Sequence, residues 1–150
     1  ARPEMPPNIV RPYAVKSDTA AMTTSKSYVA MEGMTITVAP EIDCGAIVMF
    51  SGNCNQYNEL KGYVTMGIAL YLDGVLKAET QLSPYADFIY ENDRPVGRFA
   101  HLNATLITAF ENLPAGTHTF QMRFRGAVDI MGSSGLAFKE RAMQVILFYR

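Results

Sequence analysis

The residues of this sequence that are able to do acid–base or nucleophilic chemistry are few and lie far apart. His101 and His118 are its two histidines, and neither accompanies a nucleophile motif. A general base needs a partner within hydrogen-bond reach, so we interpret His118, which follows a turn, as a histidine packed or hydrogen-bonded at a strand end. Phosphate-binding, dinucleotide-binding and nucleophile-elbow motifs are absent from the sequence. We therefore predict no catalytic residues and a protein that is not an enzyme.

Residues that bind metals are also not grouped in a recognisable spacing. Cys44 and Cys54 lack CxxC spacing and a nearby histidine, so we predict two buried free thiols, with a disulfide as the alternative. Asp87, Glu91 and Asp93 do not follow the register of a calcium loop, and a solvated loop is the simpler interpretation. The sequence predicts neither a metal site nor a cofactor.

Charge and hydropathy restrict the class of partner. Of the 150 residues 49% are hydrophobic and 18% charged, and the formal net charge is -1. This length suits one domain, and the charge gives no basic surface for nucleic acid. No apolar run reaches membrane-spanning length, and residues at the beginning of the sequence do not follow the basic-then-apolar pattern of a signal sequence. We expect neither nucleic acid nor membrane as a partner, and a surface partly covered by other subunits.

Alternating strands dominate the sequence after Tyr28. MTITV, GAIVMF, the 64–72 segment and HTFQMRFR each place apolar residues on one face. Asp73-Gly74 is typical of a two-residue hairpin turn. Helical periodicity is limited to single turns in AMTTSKSYVAM and GLAFKERAM. The sequence predicts an all-β sandwich of about eight to ten antiparallel strands.

Several residues are expected to face outward from this sandwich and to be covered by other subunits. The final strand, AMQVILFYR, is apolar on both parities and should be covered on both faces. Tyrosines of the 63–71 segment lie opposite its core face and are well suited to an interface. We therefore predict an oligomer interface formed by Tyr63, Tyr71, Ile146 and Phe148.

Another aromatic group lies in two segments predicted to be loops, 52–60 and 83–97. Exposed aromatic rings stack on sugars, so these loops are the candidate for a receptor contact with a cell-surface glycan. The chain has no tryptophan, which favours interface packing over a dedicated sugar platform. The residues concerned are Tyr57, Tyr85, Phe88 and Tyr90.

Residues 1–26 differ in composition from residues 27–150, which we assign to the folded domain. Pro3, Pro6, Pro7 and Pro12 are four of the eight prolines, and they favour an extended segment that cannot enter the centre of a sheet. A disordered tail would avoid apolar residues, so we predict an N-terminal arm lying along another surface, with a flexible linker as the alternative. The apolar arm residues are Met5, Ile9, Val10 and Tyr13.

The linear order of several segments resembles a domain that recurs in bacteriophage structural proteins. The segments are SDTAAMTTSKSYVAMEGMTITV, GAIVMFSG, YVTMGIALYLDGVLKAET, LPAGTHTFQMRFR and RAMQVILFYR, within residues 17–150. The resemblance implies a jelly roll similar to the trimeric head domains of tumour necrosis factor and complement proteins. No catalytic residues belong to this motif.

Two functions are compatible with that resemblance. The first is a capsid decoration, or cement, protein, made in the host cytoplasm, that forms a homotrimer on the outer capsid surface of the virion and binds the major capsid protein through several weak contacts. The alternative is the receptor-binding head of a tail fibre that recognises a glycan. Ala1 is typical of a chain whose initiator methionine was removed; we expect the chain to be complete, and its short arm favours decoration.

Overall fold

The computed structural model describes residues 9–58, 66–82, 87–91, 94–126 and 134–149, with side chains except at 56–58, 87–91, 94–102 and 134–135. These residues form ten strands and no helix. The strands are β1 (Ile9–Ser17), β2 (Ala21–Thr23), β3 (Val29–Val38), β4 (Cys44–Asn58), β5 (Met66–Leu72), β6 (Val75–Leu82), β7 (Asp87–Glu91), β8 (Arg94–Leu113), β9 (His118–Arg125) and β10 (Ser134–Tyr149). No helix suited to crossing a membrane occurs among the described residues.

The strands form two antiparallel sheets packed face to face. The six-stranded sheet has the order β1-β10-β4-β8-β7, with β2 also beside β10, and the four-stranded sheet has the order β3-β9-β5-β6. Strands distant in sequence are neighbours because the chain crosses repeatedly between the sheets, as in a jelly roll. The predicted jelly-roll sandwich is confirmed.

Strict alternation places one side chain in two between the sheets. In β3, Met34, Ile36 and Val38 are buried while Thr35 and Thr37 are exposed, as the sequence predicted. The same holds for the inward residues of β4, β5 and β9. The largest fully buried side chains are Phe50, Phe120, Phe138, Met31, Met34, Met66, Ile68, Leu70, Leu113, Met122 and Leu136.

The last strand contains an irregularity that the sequence did not reveal. The register of β10 against β4 shifts between Phe138, opposite Cys54, and Arg141, opposite Gly52. This bulge adds one residue to β10 and reverses which parity points inward. It explains why GLAFKERAM, predicted to hold a helical turn, is extended. The prediction of cover on both faces is not met within the chain, because Ile146 and Phe148 are half-exposed.

Residues 9–17 of the predicted arm form the edge strand β1. They pair with β10 from Ile9 opposite Tyr149 to Ser17 opposite Arg141. Pro12 is tolerated there because an edge strand has one side without ladder bonds. Tyr13 and Val15 pack against the chain's own core. Any separate arm must therefore be sought before residue 9.

The 52–60 and 83–97 segments, predicted as loops, contain strand. Strand β4 extends to Asn58, and β7 pairs with the beginning of β8. The ladder of β7 is irregular between Ile89 and Tyr90, where Tyr90 lies opposite Pro95. The sequence did not predict this hairpin because it contains acidic residues and prolines, and both are depleted in regular strands.

Candidate functional site

The outer face of the six-stranded sheet is apolar over three adjacent cross-strand rows. One row joins Pro12, Ile146, Ile47 and Ala109, and the row beside it places Met49 next to Ile107. We call this surface the apolar face. It consists of Val10, Pro12, Ala14, Ile47, Met49, Ile107, Ala109, Ile146 and Phe148.

The apolar face has the size of the patches that often mark contact sites on soluble proteins. Ile107 is 70% exposed and Val10 48%. Strands about 4.8 Å apart and same-face residues about 6.8 Å apart give four strands and three rows an area on the order of 400 Å². Gln144 is a polar side chain within the rows, and the row of Val10 and Phe148 ends on β8 beside the exposed Glu111 and Asn112.

The outer face of the four-stranded sheet, in contrast, is closed by its own side chains. The Arg123 guanidinium lies 3.9 Å from the ring centre of Tyr71. Tyr28 contacts Tyr71 edge to face, with ring centres 6.1 Å apart, and donates a hydrogen bond of 2.8 Å to Glu79. Burial, with the Glu79 hydrogen bond, raises the pKa of Tyr28 to about 12. Gly67 leaves space for this ring, because a Cβ there would lie 2.6 Å from the Tyr28 hydroxyl.

The predicted interface residues lie on opposite sides of the sandwich. Ile146 and Phe148 belong to the apolar face, whereas Tyr71 lies on the outer face of the four-stranded sheet. Tyr63 is outside the described residues. These residues therefore lie on two different faces of one subunit, and the oligomer interface stays a prediction.

The other predicted groups are also divided. Ile9 and Tyr13 are partly buried against the core, Val10 points outward, and Met5 lies outside the described residues. For the aromatic receptor group, the backbone places Tyr57 opposite Phe99, in the row next to the one that joins Phe88 to Arg98. Tyr90 is in β7, and Tyr85 is outside the described residues. Adjacent rows of a sheet belong to opposite faces, so the register does not place Tyr57 and Phe88 on one face.

His118 connects two turns at one end of the sandwich. Its Nδ1 lies 2.7 Å from Oδ2 of Asp73, and its Nε2 lies 2.7 Å from the carbonyl oxygen of Pro114. Both neighbours are acceptors, so both ring nitrogens donate when the ring is protonated. The Asp73 hydrogen bond raises the pKa of His118 and lowers that of Asp73. His118 is thus hydrogen-bonded at a strand end, as predicted; the partner Asp73 was not foreseen.

The thiols and carboxylates form no reactive group where the structure describes them. Cys44 and Cys54 are free and buried, as predicted. Burial raises the pKa of the Cys54 thiol to about 12, so it stays protonated and unreactive. Among the described residues no three His, Cys, Asp or Glu side chains are grouped to hold a metal ion.

Comparison with known proteins yields likenesses of structure alone. No protein-family model matches the chain, and no curated protein matches it. The chain is similar to dimeric latent PorU from Porphyromonas gingivalis, with 9% identity and a TM-score of 0.44 over 99% of this chain and 14% of that one. It is similar to the baseplate tripod of bacteriophage Tuc2009, with 16% identity and a TM-score of 0.40 over 87% of this chain and 64% of that one. It is also similar to the structure of infectious bursal disease virus, Gx strain, with 10% identity and a TM-score of 0.42 over 93% of this chain and 32% of that one.

Proposed function

We propose that this chain is a non-enzymatic structural protein of a phage virion. In this proposal it is a decoration protein that forms a homotrimer and binds the major capsid protein on the outer surface of the head. The observation that carries the proposal is the apolar face, which has nine apolar side chains on neighbouring strands. Exposed apolar patches of this size are often contact sites.

The size of the apolar face favours repeated contacts over one tight contact. Burying about 400 Å² at about 25 cal/mol per Å² contributes on the order of 10 kcal/mol before costs. Lost translational and rotational freedom alone costs about 4–15 kcal/mol. A single copy would therefore bind weakly. Linked copies that engage several sites on a shell bind far more strongly, which is the physical advantage of a trimer.

The role of the N-terminal segment is narrower than its composition suggested. Ile9 and Tyr13 already pack on the chain's own core. We therefore propose that capsid contact by this segment involves Met5 and the outward-facing Val10, which adjoins the apolar face through its pairing with Phe148.

Capsid binding provides the test. We expect the chain without residues 1–8 to keep its fold and assembled mass, since β1 is left whole, and to occupy fewer sites on purified heads that lack the protein. A variant with Ile107→Asn and Val10→Asn should bind heads still less well. The matched control, Thr35→Asn with Thr37→Asn on the other sheet, should bind normally. Full occupancy by both the deletion and the apolar-face variant would refute the proposal.

The alternative, a receptor-binding tail-fibre head, rests on the aromatic residues of the 52–60 and 83–97 segments, two of which, Tyr57 and Phe88, lie in adjacent rows of the same sheet. In that case the Tyr57 and Phe88 end of the sandwich would contact a cell-surface glycan. Competition between the purified protein and intact phage for adsorption to host cells separates the two functions. Specific blocking of adsorption, with the protein located at the tail tip, would favour the alternative.

A further inference from the structure

Beyond the apolar face, the same outer surface continues into a polar depression of about 780 Å³. Pockets for small ligands span about 300–1,000 Å³. The depression lies beside the bulge in β10, and bulges are common next to binding sites because they redirect side chains. Its lining residues are Lys16, Ser17, Asp18, Ser51, Gly52, Asn53, Asn103, Glu140, Arg141 and Ala142.

Gly52 is required where β4 passes the bulge. A Cβ at this position would lie 2.9 Å from a ring carbon of Phe138 and 3.1 Å from Cβ of Arg141. The absence of a side chain allows both residues to pack tightly under the depression. The bulge and Gly52 together form a built concavity within an otherwise continuous sheet.

Arg141 forms the floor of the depression and is only 4% exposed. Its Nε and Nη2 donate to the carbonyl oxygen of Glu32 at 3.3 and 2.7 Å. Its Nη1 donates to the carbonyls of Thr19 and Lys139 at 2.5 and 2.9 Å. The Arg141 side chain points inward, in the buried row of Gly52 and Ala104. Its hydrogen bonds to backbone carbonyls hold the strands next to the depression in place.

The rim combines both signs of charge with amide and hydroxyl groups. Lys16, Asp18 and Glu140 are exposed and form no ion pair within the described part of the chain. Asn53 makes one long contact, 3.5 Å, from Nδ2 to a Glu140 carboxylate oxygen. Asn103 is exposed beside it, in register across β4 and β8. Donors and acceptors are therefore interspersed around an open space.

We infer that this depression binds a neutral polyhydroxylated ligand, the terminal hexose of a glycan. Each sugar hydroxyl both donates and accepts, which matches the amide, hydroxyl, ammonium and carboxylate groups interspersed around the depression. A metal cation is disfavoured by Lys16 and Arg141 beside the two carboxylates, and an anion is disfavoured by Asp18 and Glu140. No aromatic ring lines the depression, so a single site binds weakly and an array of copies binds well.

This inference stands apart from the proposed capsid contact, which uses other rows of the sheet. It also differs from the receptor alternative, which places the glycan at the Tyr57 and Phe88 end. Loss of capsid binding and loss of sugar binding are therefore separable in one set of variants.

The test is a titration of the ¹⁵N-labelled full chain with glucose, galactose, N-acetylglucosamine, glucuronate and calcium chloride, followed by NMR. We expect saturable shifts of the Ser51, Asn53 and Asn103 amides with at least one neutral sugar. Asn53→Ala and Asn103→Ala should each weaken binding about fivefold to tenfold, the effect of losing one or two hydrogen bonds. Asn112→Ala, an exposed substitution of the same type elsewhere on β8, should leave binding unchanged.

The remaining outcomes would overturn the inference. Calcium binding that disappears in Glu140→Gln, with no neutral sugar bound, identifies a cation site. Shifts with glucuronate alone identify a site for carboxylates. Shifts that never saturate, or that the Asn53→Ala and Asn103→Ala variants retain in full, show that the depression holds no sugar.

Discussion

The outer faces of the two sheets differ in how their side chains are covered. On the four-stranded sheet, Arg123 lies over Tyr71, and Tyr28 packs on Tyr71 and binds Glu79, so polar and aromatic groups satisfy one another within the chain. On the six-stranded sheet, the apolar rows have no cover of their own, and Ile107 stays 70% exposed. A sheet face that provides its own cover stabilises the subunit. One that does not is suited to stabilise an assembly.

The largest effect should come from placing charge on the apolar face. We expect Ile107→Lys with Val10→Lys to weaken binding to the capsid at least about a hundredfold, because burying an unpaired charge costs several kcal/mol. Both positions are exposed in the subunit, so its melting temperature should change little. Titration onto purified heads that lack the protein measures the affinity.

The control for that experiment is Thr35→Lys with Thr37→Lys on the four-stranded sheet, which should bind heads normally. Loss of head binding by this control, with the apolar-face variant still bound, would reverse the assignment of the two faces.

A smaller loss is expected where the four-stranded sheet is covered. Gly67→Ala introduces a Cβ that would lie 2.6 Å from the Tyr28 hydroxyl. We expect the free energy of unfolding to fall by about 2 kcal/mol, since overpacking displaces the ring. Urea denaturation measures it. In a Tyr28→Ala background the same substitution should cost less; an equal cost in both backgrounds would mean that Tyr28 does not cover this sheet.

Removing the cation over Tyr71 should have a more modest effect. Arg123→Met keeps the length of the side chain and removes its charge, so we expect a loss of about 1 kcal/mol, the scale of a cation–π contact. The assembled mass should stay the same, because this contact lies within one chain. Lys77→Met, on the neighbouring edge strand, is the matched control and should change stability by less than about 0.5 kcal/mol. A change of mass in Arg123→Met would place Tyr71 in the subunit interface.

The smallest effect concerns pH at the His118–Asp73 pair, which belongs to neither face. Because the folded pKa of His118 is raised, its stabilisation is full below the unfolded pKa and is lost as pH rises through the folded pKa. Because the folded pKa of Asp73 is lowered, its contribution is lost as pH falls through that lower value. Asp73 is 46% exposed, so we expect about 1 kcal/mol at most.

The difference in thermal stability between the wild type and His118→Asn measures this contribution across the pH range. It should be greatest in mildly acidic solution and disappear in alkaline solution, while the assembled mass stays constant. A difference that grows with rising pH would contradict a protonated His118.

The sequence predicted those parts of the fold that depend on local alternation. Inward Met34 and Ile36 and the Asp73-Gly74 turn follow from side-chain period and turn chemistry, and the turn has φ values of 51° and 81°. The linear order of the five segments, which resembles that of phage structural domains, added the prediction that the strands form a jelly roll. Alternation does not specify which strands become neighbours, so the division of Tyr71 and Ile146 between opposite faces was not foreseen.

Most of the candidate binding surface could not be predicted from the sequence, for a different reason. From the sequence alone, the Arg141 side chain would be assigned to the protein surface. Because the bulge reverses the parity of β10, this side chain points toward the core instead. A bulge is stabilised by contacts distant in sequence, here Gly52 and the Glu32 carbonyl. No residue pattern within β10 signals it. Similarly, β1 was taken for an arm because its prolines conceal an edge strand.

The pairing of Ile9 with Tyr149 places the first and last described positions of the sheet side by side. A short linker could therefore join them, and new termini could open at the Asp73-Gly74 turn on another part of the molecule. Peptides fused before β1 or after β10 would emerge from the same corner, next to Val10 and Phe148. Cargo for display would be better inserted at the β5–β6 turn, away from the surface that we expect to contact the capsid.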